Sequence, residues 1–489
     1  MRRTLILSWI VVMGPALLAG CPDRTLTRVV PEQVKEDGPK VPVEINRNVD
    51  ILFVIDNSLS MEEEQDELAD NFPRFIEVLE GIEGGLPNVH IGVVSTDVGA
   101  GQIVPGAGCT QIGDDGGLQA VARGSCQAPG DRFIEDIADP DDPDVRIRNY
   151  DPAVASLEDT FSCIARLGTL GCGFEAPLES MYRALKDEKG LNTGFLRDDA
   201  FLAVVFITDE DDCSFANSKM FDDPRGTLDD PLGPLSSFRC FEFGVQCSQV
   251  ADPRAPGTRR NCQPRKEAPS QDGEPPFMRD VDFYVDFLKN ELGKNPADII
   301  VAGIIGDAEP VTVEFIAGDV NDPRDRVELA PSCTVEGTGG GPPRTAAAPA
   351  VRLEYFLDQF PQRHTSTTIC NDDLSSALTL IANLLAEVIG NACMKGDIDT
   401  DKETPGIQEE CTVSDVQNPD TIFQQETLIR KCTTGPPGPE EALPCWYLED
   451  DPVACIAPAY PSGKSLVVER DDGVEVPRGT FVVARCVVQ

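Results

Sequence analysis

Residues 51–61 read Ile-Leu-Phe-Val-Ile-Asp-Asn-Ser-Leu-Ser-Met. Five apolar residues run without a break into Asp56, and hydroxyls follow at Ser58 and Ser60. A continuous apolar run of this length predicts a strand buried on both faces, the kind found in parallel sheets. In open α/β sheets the residues just past the carboxyl ends of such strands line the ligand crevice. One carboxylate and two hydroxyls there are hard oxygen donors, the chemistry that suits Mg²⁺ or another divalent cation such as Ca²⁺ or Mn²⁺.

Around this stretch, strand and helix signals alternate. "HIGVVSTD" (90–97), "FLAVVFITDE" (201–210) and "DIIVAGII" (298–305) predict three more buried strands. "PVTVEFI" (310–316) predicts a fifth, at the sheet edge. Apolar residues at helical spacing fall at Leu68, Phe72, Phe75, Ile76 and Leu79, where Pro73 is expected to kink or split the helix. Further helices are expected at Leu178–Leu185, over "MRDVDFYVDFLKNEL" up to a C-cap at Gly293, over "VRLEYFLDQF", and from Asp372 through Val388. The alternation predicts a doubly wound, mostly parallel α/β sheet.

Long stretches rich in Gly, Pro and Cys interrupt it at about 98–165, 213–275 and 318–350. Insertions of this length are expected to be functional or cross-linked. The expected organisation is an export signal (1–20), a polar tether (21–46), the α/β domain with its insertions (47–393), a linker (394–410) and a small cysteine-rich β module (411–489). In the module, "KSLVVERDDGVEVPRGTFVVARC" predicts a hairpin turning at Asp472-Gly473.

The chain carries 84 Asp plus Glu against 41 Lys plus Arg, a formal charge of −43. Such a surface repels phosphate backbones, so nucleic acid is excluded as a partner. The N-terminus has two arginines, a short apolar core and then small residues, the pattern of an export signal. Its end, Leu18-Ala19-Gly20-Cys21, resembles the lipobox of bacterial lipoproteins. That resemblance implies acylation of Cys21 and a lipid anchor in the bacterial cell envelope. Seventeen cysteines less Cys21 leave sixteen, an even number, as expected for full pairing in an oxidising compartment. The spacing does not determine the connectivity; short-loop pairs such as Cys163 with Cys172 or Cys240 with Cys247 are among the options it leaves open. A zinc site is disfavoured by two histidines and the lack of any CxxC.

The strand ending in Asp56-x-Ser58-x-Ser60, together with the later strand ending in "ITDEDD" from Asp209, resembles the von Willebrand factor type A domain. The resemblance implies a metal-ion-dependent adhesion site in which Asp56, Ser58, Ser60 and Asp209 bear on one divalent cation. It also implies a threonine from a middle loop. Here the segment is "LGTLGCGFEAPLE", with Gly173 just ahead of the helix and Thr169 four residues earlier, and Glu175 is the expected substitute. The implied function is capture of a carboxylate on a protein or envelope partner. A structural envelope protein, whose cation site stiffens the fold or has decayed, is the other reading. An enzyme is not expected. His90 and His364 accompany no GxSxG, and no HExxH, GxxxxGK[ST] or strand-borne GxGxxG occurs.

Overall fold

The computed structural model describes residues 35–42, 47–82, 85–104, 108–123, 126–139, 145–248, 252–266, 273–318, 323–337, 343–361, 363–371, 373–389, 394, 397–400, 402, 406–417, 424–438, 441–450, 462–471 and 480–487. Cys21, Cys393 and Cys455, and the expected export signal, lie outside these residues. A seven-stranded sheet forms the centre, in the order 364–368, 299–305, 201–207, 48–55, 88–95, 134–138, 146–148. Its first five members pair in parallel and the last two are antiparallel. The fold is therefore mixed α/β with a large, mostly parallel sheet, and Asn48–Ile55 is its middle strand.

Seven α-helices accompany it among the described residues: α1 (Glu62–Glu80), α2 (Leu157–Ala165), α3 (Pro177–Lys186), α4 (Phe238–Gly244), α5 (Val281–Asp286), α6 (Val351–Asp358) and α7 (Ser375–Ile389). Side chains alternate across a strand, so one run can serve two cores. Ile51, Phe53 and Ile55 pack against α1, α2 and α7, while Leu52 and Val54 pack against α3, α5 and α6. Phe53 meets Phe72, Phe75 and Phe161 at ring distances of 6.0, 5.9 and 4.8 Å. Burying one such side chain contributes about 2–3 kcal/mol. Among the described residues, no helix is long and apolar enough to cross a membrane.

Several expectations are corrected. Pro73 lies inside a helix that runs unbroken from Glu62 to Glu80, held on both sides of the proline by buried Leu68, Phe72, Phe75 and Ile76. Val311–Ile316 joins a separate three-stranded sheet with 257–259 and 326–329. The edge of the central sheet is instead His364–Thr368, polar and half-buried throughout, which hides a strand from any hydrophobic pattern. Two strands of the first insertion, Ile134–Ala138 and Arg146–Arg148, extend the opposite edge.

The expected hairpin turn at Asp472-Gly473 lies outside the described residues, and the strands on either side of it, Lys464–Glu469 and Thr480–Val487, are not paired with each other. The former pairs with Cys445–Asp450, the latter with Cys411–Gln417, and both pairings belong to a six-stranded sheet. Lys35–Pro42, within the expected tether, is the edge strand of that sheet, paired with Thr480–Val487. Met394 and Ile398, within the expected linker, are buried in its core with Val413, Ile429 and Trp446.

Seven disulfides join the described cysteines: 109–172, 126–163, 213–240, 247–262, 333–370, 411–486 and 432–445. The two expected short-loop pairs do not form: Cys172 is tied to Cys109 and Cys240 to Cys213, while Cys163 and Cys247 pair within their own insertions, with Cys126 and Cys262. Proximity in sequence was the wrong guide, because the fold brings these loops together at the strand ends.

Candidate metal centre

Asp56, Thr96 and Thr208 continue three neighbouring parallel strands past their ends. Their backbone amides donate to Ile207, Ile55 and Ile304 carbonyls at 2.9, 3.2 and 3.2 Å. This fixes Asp56 at the centre of the crevice, completely buried. Its Oδ1 accepts from the Ser58 amide (2.7 Å) and its Oδ2 from Thr208 Oγ1 (2.6 Å). The Ser58 and Ser60 hydroxyls stand 3.1 Å apart. Gln65, from α1, ties the Asp56 loop to the middle loop: its Nε2 donates to the Asp56 and Gly168 carbonyls (2.9 and 3.0 Å), and its Oε1 accepts from the Gly168 amide (2.9 Å).

The middle loop brings in Glu175, completely buried, with Thr96 Oγ1 donating to its Oε2. Gly171 has a steric task there. Its amide donates to the Asn57 carbonyl at 3.0 Å, and a Cβ at this position would sit 2.2 Å from Asn57 Oδ1. Two disulfides fasten the loops that carry the acids. Cys172, three residues ahead of Glu175, is tied to Cys109, and Cys213, four residues after Asp209, is tied to Cys240. The Cys213 amide in turn donates to the Glu175 carbonyl at 2.7 Å.

The electrostatics are those of crowded acids. Burial pushes the Asp56 carboxyl above its usual range, against the hydrogen bonds from Thr208 and Ser58. Burial and the charge of Asp56 push Asp209 up to about 8. The same two causes hold Glu175 and Glu210 well above the ordinary carboxylate range. Among the described residues, no lysine or arginine is ion-paired with any of the four. By contrast, Asp212 has Arg352 at 2.9 Å, with both side chains wholly buried.

The residues present fit a divalent cation. Glu175 Oε1 and Asp209 Oδ1 are buried and have no hydrogen-bond partner. Ionised acids in that state are costly unless a cation compensates them. Among the described residues, no three His, Cys, Asp or Glu side chains converge into an all-protein cage. Any ion here would be held by carboxylates, hydroxyls and water together, which is how Mg²⁺ is usually held.

Asp56, Ser58, Glu175 and Asp209 therefore gather in one crevice, with Ser60 at its exposed lip. Thr208, Thr96, Gln65 and Glu210 were missed by the sequence reading. Thr208 and Glu210 flank Asp209 and were within its reach, whereas nothing in the pattern marks Gln65. Thr169 is partly exposed and makes no hydrogen bond among those described. His90 sits at the start of its strand, opposite Asp50 in register and so at the far end of the sheet from Asp56, with Nδ1 2.8 Å from the Phe195 carbonyl. His364 lies on the edge strand, against the Phe360 carbonyl.

No protein-family description matches the chain, and no curated protein is similar to it. Among solved structures, the pilus adhesin SpaC from Lactobacillus rhamnosus GG is similar at 10% identity and a TM-score of 0.30, over 90% of this chain and 39% of that one. The pilus adhesin RrgA from Streptococcus pneumoniae is similar at 10% identity and a TM-score of 0.30, over 93% and 58% of the respective chains. A von Willebrand factor type A protein from Catenulispora acidiphila is similar at 10% identity and a TM-score of 0.24, over 90% and 58%. The chain thus spans well under two thirds of each of these structures. Likeness at this level leaves the functional reading to rest on the site itself.

Proposed function

We propose that this chain is an exported envelope protein that binds a macromolecular partner through a divalent cation held at Asp56, Ser58, Ser60, Glu175 and Asp209. The observation that carries the reading is the set of four crowded carboxylates, none of them ion-paired with a basic group among the described residues, two of which have an unpartnered buried oxygen. When bound, an Mg²⁺-type cation would supply an electrophilic position open to a carboxylate of the partner.

The chain's own residues do the rest. Thr208 and the Ser58 amide orient Asp56. Gln65 and the 109–172 and 213–240 disulfides hold the three loops in register. The exposed Ser60 marks the side open to solvent. Pairing of all the described cysteines suits an oxidising compartment. Anchoring through a lipid on Cys21 belongs to the same reading.

The test is retention of envelope proteins on the immobilised, disulfide-intact chain in Mg²⁺ and in chelator. A partner retained only with Mg²⁺, and lost with Asp56→Ala, is the expected result. Equal retention in chelator would refute cation-mediated binding.

A further inference from the structure

Beside Asp209 the surface opens into a cleft of about 310 Å³. Asp209 and Glu210 form its acidic end, and its walls include Phe238 and Phe241 of α4, Leu329 and Ala346. Those walls come from the second and third insertions, segments that the central sheet does not need in order to form.

The acids after the third parallel strand divide into two kinds. Asp211 accepts from the Arg352 and Leu353 amides at 3.0 and 3.2 Å, and Asp212 is paired with the Arg352 guanidinium at 2.9 Å. Both are therefore engaged in the fold. Asp209 is only 4% exposed, lines the cleft and leaves Oδ1 without a partner. Glu210 is half-buried, lines the same cleft, and its side chain has no hydrogen bond or ion pair among the described residues.

This shape constrains the occupant. An apolar side chain would desolvate two acids and pair neither of them. An anionic one would be repelled. A long aliphatic stem ending in a cation satisfies both halves, the stem on the phenylalanine and leucine walls and the head at the acids. A divalent ion at Asp56 would favour the ionised forms of these acids and offset two of the four charges that full ionisation gives, so the cleft end stays acidic. A formal charge of −43 would also steer a basic partner toward this surface.

We infer that the cleft receives a lysine or arginine side chain of the partner macromolecule. The inference deepens the proposed function, and it rests on that reading for there being a partner at this crevice. The test is saturation-transfer NMR on the whole disulfide-intact chain, using the blocked tripeptide acetyl-Gly-Lys-Gly-amide and its norleucine and glutamate counterparts. The lysine peptide should take up saturation along its side-chain methylenes, and the other two should not. Its Kd should rise at least about fivefold in Glu210→Gln, which removes the acidic group that would receive the cationic head, and in Ala346→Trp, which fills the exposed cleft wall.

Attraction to an acidic surface in general would survive both substitutions, and an unchanged Kd in folded Glu210→Gln overturns the inference. So does equal uptake by the norleucine peptide. If Ala346→Trp does not fold, Glu210→Gln alone decides. The Mg²⁺-dependent thermal shift of the wild type, measured on the same sample, separates the two readings. Lysine uptake lost in Glu210→Gln upholds the cleft even where Mg²⁺ gives no shift, and a normal shift with an unchanged Kd refutes the cleft alone.

Discussion

Replacing Asp209 with asparagine should stabilise the protein in chelator, which is the reverse of the usual effect of removing a buried hydrogen-bonding acid. Asp209 is raised from 3.8 to about 8 by burial and by the charge of Asp56. For an acid whose folded pKa lies above its unfolded value, the native state binds the proton more tightly. The associated stability is therefore complete below pH 3.8 and is lost as pH rises toward 8. About four units at 1.36 kcal/mol each set a ceiling of about 5 kcal/mol lost by pH 8.

The four carboxylates share protons, so neutralising one is expected to recover about half of this, roughly 2–3 kcal/mol. At about 1–1.5 °C per kcal/mol for a chain of this size, Tm in chelator at pH 8 should rise by about 2–4 °C in Asp209→Asn. At pH 5 the gain should shrink, because wild-type Asp209 is then protonated. In Mg²⁺ at a hundred times Kd the wild type should gain about 2.7 kcal/mol and the variant little, so the two curves converge or cross. Calorimetry with the disulfides intact, at both pH values, with chelator and with Mg²⁺, is the assay. An Asp209→Asn protein less stable than wild type in chelator at pH 8 would refute the crowded-acid argument.

Gly171→Ala should displace the loop carrying Cys172 and Glu175, because its Cβ would meet the Asn57 side chain; the Mg²⁺-dependent thermal shift should fall while a control Gly435→Ala, in open space, keeps it. His90 is held down at about 4 by burial and by the nearby Arg197 charge. A base depressed in this way contributes stability that is complete above its unfolded value near 6.5 and is lost as pH falls toward 4. The ceiling on that loss is about 3 kcal/mol. Urea denaturation should show His90→Gln flattening that slope. Arg352→Met should cost about 3–5 kcal/mol, because it leaves Asp212 buried without its cation; in chemical denaturation, adding Asp212→Asn should restore part of the loss. Cys21→Ser should release the protein from bacterial membranes, and mass spectrometry of the wild-type N-terminus should find a lipid on Cys21.

The sequence by itself determined the parallel core of the sheet. Ile51–Ile55 and Phe201–Ile207 are too uniformly apolar to be anything but strands buried on both faces, and residues just past their ends must face the crevice. Asp56, Ser58 and Asp209 were legible for that reason, and five of the helices followed from a 3.6-residue period that needs no partner to be read, whereas α2 and α4 lie in stretches expected to be irregular. Pairing was a different matter. The polar edge strand His364–Thr368, the separate sheet of Val311–Ile316, the disulfide partners and the strand at Lys35–Pro42 are all set by which distant segment lies alongside, and a local pattern carries no record of that. Tertiary structure also decided the electrostatics of the site. Burial and the convergence of three loops turned four ordinary acids into a crowded cluster, and gave Asp209 and Glu210 a cleft whose walls come from segments far away in the chain.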